Sequence, residues 1–335
     1  SQADVYRFII DSLDVANSRY NLKKGLQFNT NGDKMYCTSG SDLEGILKWK
    51  KFTNSLRLRA LLRVIDSEEL GNLAKTELKK MMADPATYPV FESNEDNAKV
   101  HISGIAPDEA PMTRPSDLSS YKSLSEFFIN RLLAWKDPRL AVFAKQATNK
   151  NPETGKNEKS YIGLPSGYDV EPTFTASSPN AANLATAPQD IQCLTYAEVL
   201  FIKAELAQRG LISDDAKQLY EKAVTAAITQ WGVEVPEGYF ENEKAAYDGT
   251  LRRIMEQKFY ALFFIDFQQW FEYNRTGYPD VPKGPGVDAS LHMPYRFKYP
   301  AILQRMNREH YLEAVQSMGG DDFDTKLIWQ KRPEL

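Results

Sequence analysis

The sequence is poor in the residues that most often carry catalytic or metal chemistry. It has two cysteines and three histidines among 335 residues. Cys37 and Cys193 are too few for a disulfide framework and lack metal-ligand spacing, so we expect two free thiols. His101, His292 and His310 are far apart, and none lies in an H-E-x-x-H helix, so zinc and catalytic-triad chemistry have no support. We therefore expect no metal and no cofactor.

Short catalytic motifs are absent once their context is considered. Ser119 and Lys122 match S-x-x-K, but neither S-D-N nor K-T-G follows. In residues 163–167 the serine stands one place too late for a nucleophile elbow, and residues 284–286 lack the strand that precedes a dinucleotide loop. Residues 321–324 are acidic but lack calcium-loop spacing. No catalytic residue is predicted, although paired carboxylates are too common to exclude a two-acid glycosidase.

The chain also lacks a strong charge of either sign and a long apolar run. Lysine and arginine number 41 against 45 acidic residues, for a net charge of −4, so we expect neither nucleic acid nor an anionic membrane surface as a partner. The densest apolar run, residues 259–267, is far shorter than the roughly 20 residues of a membrane span. The opening residues show no basic segment, apolar segment or lipidation cysteine.

The main pattern of apolar residues in the sequence is helical periodicity. The longest apolar segment, residues 251–279, predicts one buried helix that packs on both sides and ends at Gly277 and Pro279. Shorter amphipathic helices are predicted at residues 4–16, 49–66 and 68–82. No pair of alternating runs indicates a β-hairpin. We therefore predict an all-α fold in a single domain, residues 1–335.

Residues 195–232 predict a helical hairpin with a turn at Gly210 and an N-cap at Ser213 or Asp214. Small residues recur where paired helices approach, and Tyr220 is placed to fill the groove between them. This spacing resembles one tetratricopeptide unit. The scaffold is therefore predicted to consist of tetratricopeptide-like helix pairs with a loop-rich face.

That loop-rich face is residues 85–190, where proline, glycine, serine and asparagine are frequent and only residues 123–136 predict a strong helix. Long irregular segments of this kind often carry binding sites, so we place the ligand-binding layer here. Aromatic rings on a rigid scaffold stack on the C–H faces of sugars. The candidate ligand-binding residues are the aromatic side chains Tyr121, Trp135, Tyr161, Tyr168 and Phe174, although Trp135 lies on a helix and a core position is the alternative for it.

Several stretches in one order resemble the SusD/RagB family of outer-membrane nutrient-binding lipoproteins. They are W-K-K-F-T-N-S-L-R-L-R at residues 49–59, D-P-R-L at 137–140, Y-I-G-L-P-S-G at 161–167, T-Y-A-E-V-L-F-I-K-A-E at 195–205, Q-K-F-Y-A-L-F at 257–263, W-F-E-Y-N-R-T-G-Y-P at 270–279, and P-Y-R at 294–296 leading to Y-P at 299–300. Each is loose alone, but together they cover nearly the whole chain.

The resemblance implies a glycan- or nutrient-binding protein without catalysis, anchored by a lipid at the surface of a Gram-negative, Bacteroidetes-type cell. It implies capture of an oligosaccharide and delivery to a SusC-like TonB-dependent transporter. The family's lipidated cysteine and first helical repeats, which carry some of its binding aromatics, are expected upstream of Asp4. An α-helical glycoside hydrolase or lyase and a tetratricopeptide scaffold for peptides remain as alternatives, and the identity of the glycan is left open.

Overall fold

The structure is a computed structural model, and it describes residues 1–24, 33–36, 42–109, 114–118, 123–291 and 293–331. Its helices are α1 Gln2–Arg19, α2 Asp42–Arg63, α3 Gly71–Ala83, α4 Glu126–Trp135, α5 Arg139–Phe143, α6 Ala181–Leu184, α7 Tyr196–Gln208, α8 Ala216–Thr229, α9 Leu251–Ala261, α10 Gln268–Thr276, α11 Ala301–Met306 and α12 Arg308–Met318. Its strands are β1 Ala98–Ile102, β2 Ala147–Lys150, β3 Asn157–Ser160 and β4 Gln189–Leu194.

The predicted all-α class is confirmed. Within the described ranges the strands form only two two-stranded antiparallel sheets, β1 with β4 and β2 with β3. Short 3-10 turns at Asn94–Asp96, Pro115–Leu118 and Tyr239–Glu241 lie in the connections. Helix pairs therefore carry the fold, and the strands belong to the connecting layer.

Helix α7 lies at the centre of the molecule because it is buried on both sides. Its residues Leu200 and Phe201 belong to an apolar cluster with helices α4, α5, α8 and α9. Its residues Val199 and Ile202 belong to a second cluster with helices α1, α2 and α3. The sequence analysis predicted that residues 251–279 form the helix that packs on both sides, and that prediction was wrong.

The tetratricopeptide-like pair is α7 with α8, and α9 packs against both. The Thr195 side chain accepts a hydrogen bond from the backbone N–H of Glu198 and caps α7. Asp215 caps α8 through the N–H of Gln218, so the predicted cap at Ser213 or Asp214 was wrong by one or two positions. Tyr220 is fully buried in the groove between the helices, as predicted.

Residues 251–279 form two helices rather than one. Between α9 and α10, Phe264 and Asp266 adopt the left-handed backbone conformation, with φ values of 64° and 45°. The Gln269 amide donates to the Phe259 carbonyl at 2.8 Å, which satisfies an acceptor at the end of α9. Helix α10 ends at Gly277, whose φ of 80° is favourable for glycine, as predicted. We call residues 262–267 the α9–α10 break.

The break lets charged side chains of four helices meet inside the protein. Lys258 of α9 donates to Glu272 of α10 at 2.7 Å, and Arg275 of α10 lies 2.7 Å from both Glu272 and Glu205 of α7. Arg63 of α2 approaches Glu272 at 3.3 Å. We call these five side chains the buried ion network.

The arginines of α2 form ion pairs with side chains of other helices. Arg57 is 2% exposed and pairs with Asp14 and Glu77. Arg59 forms a bidentate pair with Glu198 of the central helix. These cations therefore join helices through the interior. Among the residues that the structure describes, no helix is long and apolar enough to cross a membrane.

Candidate functional site

A polar cavity lies between the β1–β4 sheet and the end of α8. Its volume is about 490 Å³, within the range of roughly 300–1,000 Å³ usual for small-ligand sites. We call it the Trp231 cleft; its lining residues are Asn94, Glu95, Asn97, Lys99, Asn183, Thr186, Pro188, Gln189, Asp190, Ile191, Gln192, Thr229, Gln230, Trp231 and Phe264. Most of them lie in the loop-rich layer that the sequence analysis placed at residues 85–190.

Two aromatic rings line one side of the cleft. Trp231 follows α8 directly, and Phe264 lies in the α9–α10 break. Behind them, the Trp231 ring meets Phe143 edge to face at a centroid distance of 5.0 Å, and Phe264 packs on Phe263 at 4.9 Å. Phe143 and Phe263 are themselves 4.6 Å apart. The two lining rings are therefore held in place by a continuous aromatic row, which is what stacking on a sugar ring requires.

The β1–β4 sheet supplies a charged wall. His101 is directly opposite Asp190 in the register, and the His101 Nδ1 lies 2.9 Å from an Asp190 carboxylate oxygen. Lys99 donates to the other oxygen of Asp190 at 2.6 Å. Burial alone would raise the pKa of Asp190, but the hydrogen bonds from Lys99 and His101 outweigh it and hold that pKa below its usual value. Asp190 is therefore a fixed acceptor near neutral pH.

The Asn94–Asp96 turn closes one end of the cleft and is anchored on three elements. The Asn94 amide donates to the Ala226 carbonyl at 3.2 Å and to the Thr229 hydroxyl at 3.1 Å, both on α8. Lys51 of α2 donates to Asp96 at 2.9 Å. The next residue, Asn97, accepts from the Tyr196 backbone N–H at 2.7 Å. This edge of the cleft is preorganised before any ligand arrives.

Several buried polar atoms around the cleft have no hydrogen-bond partner within the part of the chain that the structure describes. They are the side-chain carbonyl oxygens of Asn94, Gln189, Gln192 and Gln230 and the indole N–H of Trp231. A buried polar group without a partner costs roughly 1–3 kcal/mol, so a cluster of five in one place calls for an explanation. Four acceptors and one donor are suited to the hydroxyl and amide groups of a carbohydrate.

The aromatic residues predicted from sequence lie elsewhere. Trp135 is fully buried and packs on Tyr260 at a centroid distance of 5.0 Å. Because α4 turns this face to the core, Trp135 has no surface for a ligand, and the prediction for it is corrected. Tyr161 and Phe174 are half-buried, and Tyr161 packs against the same core cluster. Tyr121 lies outside the described residues.

Tyr168 is 40% exposed and follows the predicted 161–167 loop. Gly163 packs so closely on Glu126 that an added Cβ would lie 2.3 Å from the Glu126 Cα. At the other end, the Gly167 carbonyl accepts from the Gly286 N–H at 2.7 Å. The loop is therefore fixed at both ends, and Tyr168 is presented on a rigid support. Neither Tyr161 nor Tyr168 lines the Trp231 cleft, and ligand contact by either stays a prediction.

The residues of the cleft escaped sequence analysis for a simple reason. They come from segments near residues 94, 190, 230 and 264, and six of the fifteen are asparagine or glutamine, which occur in any loop. Trp231 offered one signal, since an aromatic ring directly after an amphipathic helix and before Gly232 is placed at the edge of the scaffold. No group of three or more histidine, cysteine, aspartate or glutamate side chains within the described ranges is arranged to hold a metal ion.

Helix pairs around a doubly buried central helix, with an aromatic and amide-lined cleft in the connecting layer, define a helical ligand-binding protein. The family model for SusD-like proteins described as starch-binding and associating with the outer membrane matches residues 1–300. The chain belongs to this SusD/RagB-like family.

Solved structures agree with this assignment. A chitin-binding protein matches with a TM-score of 0.79 and 25% identity, over 99% of this chain and 73% of its own. A SusD homologue of Bacteroides fragilis matches with 0.77 and 25%, over 98% and 75%. A Bacteroides vulgatus protein described as a putative outer membrane protein, probably involved in nutrient binding, matches with 0.79 and 27%, over 98% and 76%. No curated protein sequence matches the chain.

Proposed function

We propose that this protein binds an oligosaccharide in the Trp231 cleft and does not turn it over. The observation that carries the proposal is the combination of two supported rings, Trp231 and Phe264, with five unpaired buried polar atoms around one cavity. Rings bind the apolar faces of a sugar, and the amide oxygens accept from its hydroxyl groups. The family's starch-binding description and a chitin-binding relative in structure support the ligand class.

The proposed cellular role is capture at the outer surface of a Gram-negative cell and delivery to a SusC-like TonB-dependent transporter, with a lipid anchor holding the protein to the outer membrane. The family's association with the outer membrane supports this location. A protein that delivers its ligand must release it, so we expect dissociation constants from micromolar to millimolar, or roughly 4–8 kcal/mol of binding free energy.

The test is calorimetry on Trp231→Ala with the strongest ligand found on a glycan array. Loss of one stacked ring should weaken binding by roughly 1–3 kcal/mol, by analogy with aromatic stacking on bases. Tyr168→Ala is the matched comparison, because Tyr168 is an exposed ring outside the cleft. Weakening in Trp231→Ala alone supports the cleft, whereas weakening in Tyr168→Ala alone returns the site to the 161–168 loop.

Two outcomes contradict the proposal as a whole. If the array shows no carbohydrate ligand, the protein is not a glycan-binding protein. If shortened products of the array hit accumulate on incubation with the protein, the role is that of a glycoside hydrolase or lyase.

A further inference from the structure

A second cavity adjoins the Trp231 cleft on the other side of the Asn94–Asp96 turn. Its volume is about 630 Å³, and its lining residues are Glu92, Ser93, Asn94, Glu95, Tyr196, Gln218, Glu221, Lys222, Thr225, Ala226, Thr229 and Phe240. Asn94, Glu95 and Thr229 line both cavities. The two cavities therefore meet at the hydrogen-bonded Asn94–Thr229 pair, and together they form one groove along α8.

Like the first cavity, the second is lined by aromatic rings and polar side chains. Phe240 and Tyr196 provide its rings, and both also pack on the core. Phe240 meets Tyr239 edge to face at 5.3 Å, and the buried Tyr239 hydroxyl donates to Asp137 at 2.6 Å, so the ring rests on a fixed support. Gln218 and Thr225 of α8 add polar groups. These features suit further units of the same carbohydrate chain.

The charges of the second cavity differ from those of the first. Three carboxylates, Glu92, Glu95 and Glu221, line it against the single cation Lys222. Lys51 reaches one of them, with a distance of 2.6 Å to Glu92. The carboxylates also act on Tyr196: burial first, and then the charges of Glu92 and Asp96, raise the pKa of its hydroxyl. Lys217 lies 3.8 Å from Glu221, so with Lys222 and Lys51 three lysines balance the three carboxylates of the second cavity.

We infer that the groove binds an extended oligosaccharide that crosses the Asn94–Thr229 pair, with further units of the same chain in the second cavity. The inference rests on the proposed function and adds to it a length requirement. Binding at the Trp231 cleft alone would satisfy the proposed function without that requirement.

Chain length tests the inference. Titration calorimetry compares maltotriose with maltohexaose, and the trimer of N-acetylglucosamine with its hexamer. In the series that binds, the affinity of the hexamer should be at least tenfold higher than that of the trimer. Gln218→Trp fills the second cavity from the exposed face of α8 and should remove this gain without changing trimer affinity. Lys217→Trp, an exposed neighbour outside the lining, is the control for a bulky ring on α8 and should retain the gain.

The outcomes separate the two proposals. Equal affinity of trimer and hexamer, or an undiminished gain in Gln218→Trp, overturns the extended groove while leaving the Trp231 cleft intact. Absence of binding in both series at millimolar concentration contradicts the proposed function and this inference together.

Discussion

Two buried polar regions of the protein differ in one respect. In the buried ion network, Glu205, Glu272, Arg275 and Lys258 all have partners of opposite charge at 2.7 Å. Around the Trp231 cleft, amide oxygens and an indole N–H have none within the described residues. The α9–α10 break connects the two regions, because it separates Lys258 from Glu272 and also carries Phe264.

The difference tells the two roles apart. In a paired interior charge, attraction to the partner offsets the lost hydration, so the ion network needs no ligand. The network instead fixes how α2, α7, α9 and α10 meet. An unpaired interior amide keeps its cost until another molecule meets it. Single unpaired polar atoms also occur elsewhere in the interior, as in Trp135 and Asn274, so what distinguishes the cleft is that five of them surround one cavity.

The largest expected effect is loss of an ion-network member. Glu272→Ala leaves Lys258 and Arg275 buried with fewer counter-charges, and we expect a loss of roughly 3–5 kcal/mol in the free energy of unfolding. Urea denaturation measures it. Glu44→Ala removes an exposed pair with Lys48 on α2 and should cost less than about 0.5 kcal/mol. Similar losses in both variants would mean that the network is no different from a surface pair.

The second-largest effect should be a loss of the stability contributed by the buried ion network at low pH. Burial opposes ionisation of Glu272, but Arg275, Lys258 and Arg63 outweigh it and hold its pKa well below the usual value. A lowered folded-state pKa contributes stability that is full above the unfolded value of about 4.5 and declines as pH falls through the folded value.

The stability difference between the wild type and Glu272→Gln should therefore be constant from pH 7 to about pH 5.5. Below about pH 4.5 it should narrow by about 1.4 kcal/mol per pH unit. Denaturation curves over this range check the sign. A difference that widens on acidification would contradict a stabilising carboxylate at Glu272.

The opposite result is expected in the cleft. Gln192→Met keeps the length of the side chain and removes an unpaired carbonyl, so stability should stay the same or rise by about 1 kcal/mol. Affinity for the array ligand should fall at the same time. Thermal unfolding and calorimetry on one preparation give both numbers, and a clear loss of stability would show that the Gln192 amide is already satisfied in the folded protein.

The smallest effect concerns the break that joins the two regions. Asp266 is exposed and has a φ of 45°, a conformation that favours glycine. Asp266→Gly should change the free energy of unfolding by less than about 1 kcal/mol and in the stabilising direction, since strain relief is partly offset by the added freedom of the unfolded chain. Asp266→Ala is the matched control and should not stabilise. A stabilising alanine would indicate a cause other than backbone strain.

The sequence was informative where structure depends on local periodicity. The α7–α8 pair, the burial of Tyr220 and the stop at Gly277 follow from spacing and from glycine's freedom, both of which are visible in a single segment. The α9–α10 break was missed because Phe264 carries no turn signal, and its left-handed conformation depends on contacts such as the Gln269 amide with Phe259.

The candidate site was harder to predict from the sequence for a related reason. Aromatic content along the chain does not tell which rings face solvent, and Trp135 proved to be core. The unpaired amides of Gln189 and Gln192 become informative only when the folded neighbours that fail to pair with them are known. Neither property is encoded in spacing along the chain.

The β1–β4 sheet has a consequence for self-association. Each of its two strands is an edge strand, and exposed edges invite another chain to add as a further strand. The Lys99, Asp190 and His101 side chains place charge across this ribbon, and charged side chains are among the devices that blunt such edges. Lys99 and Asp190, which line the cleft, therefore also oppose edge-to-edge aggregation, together with His101.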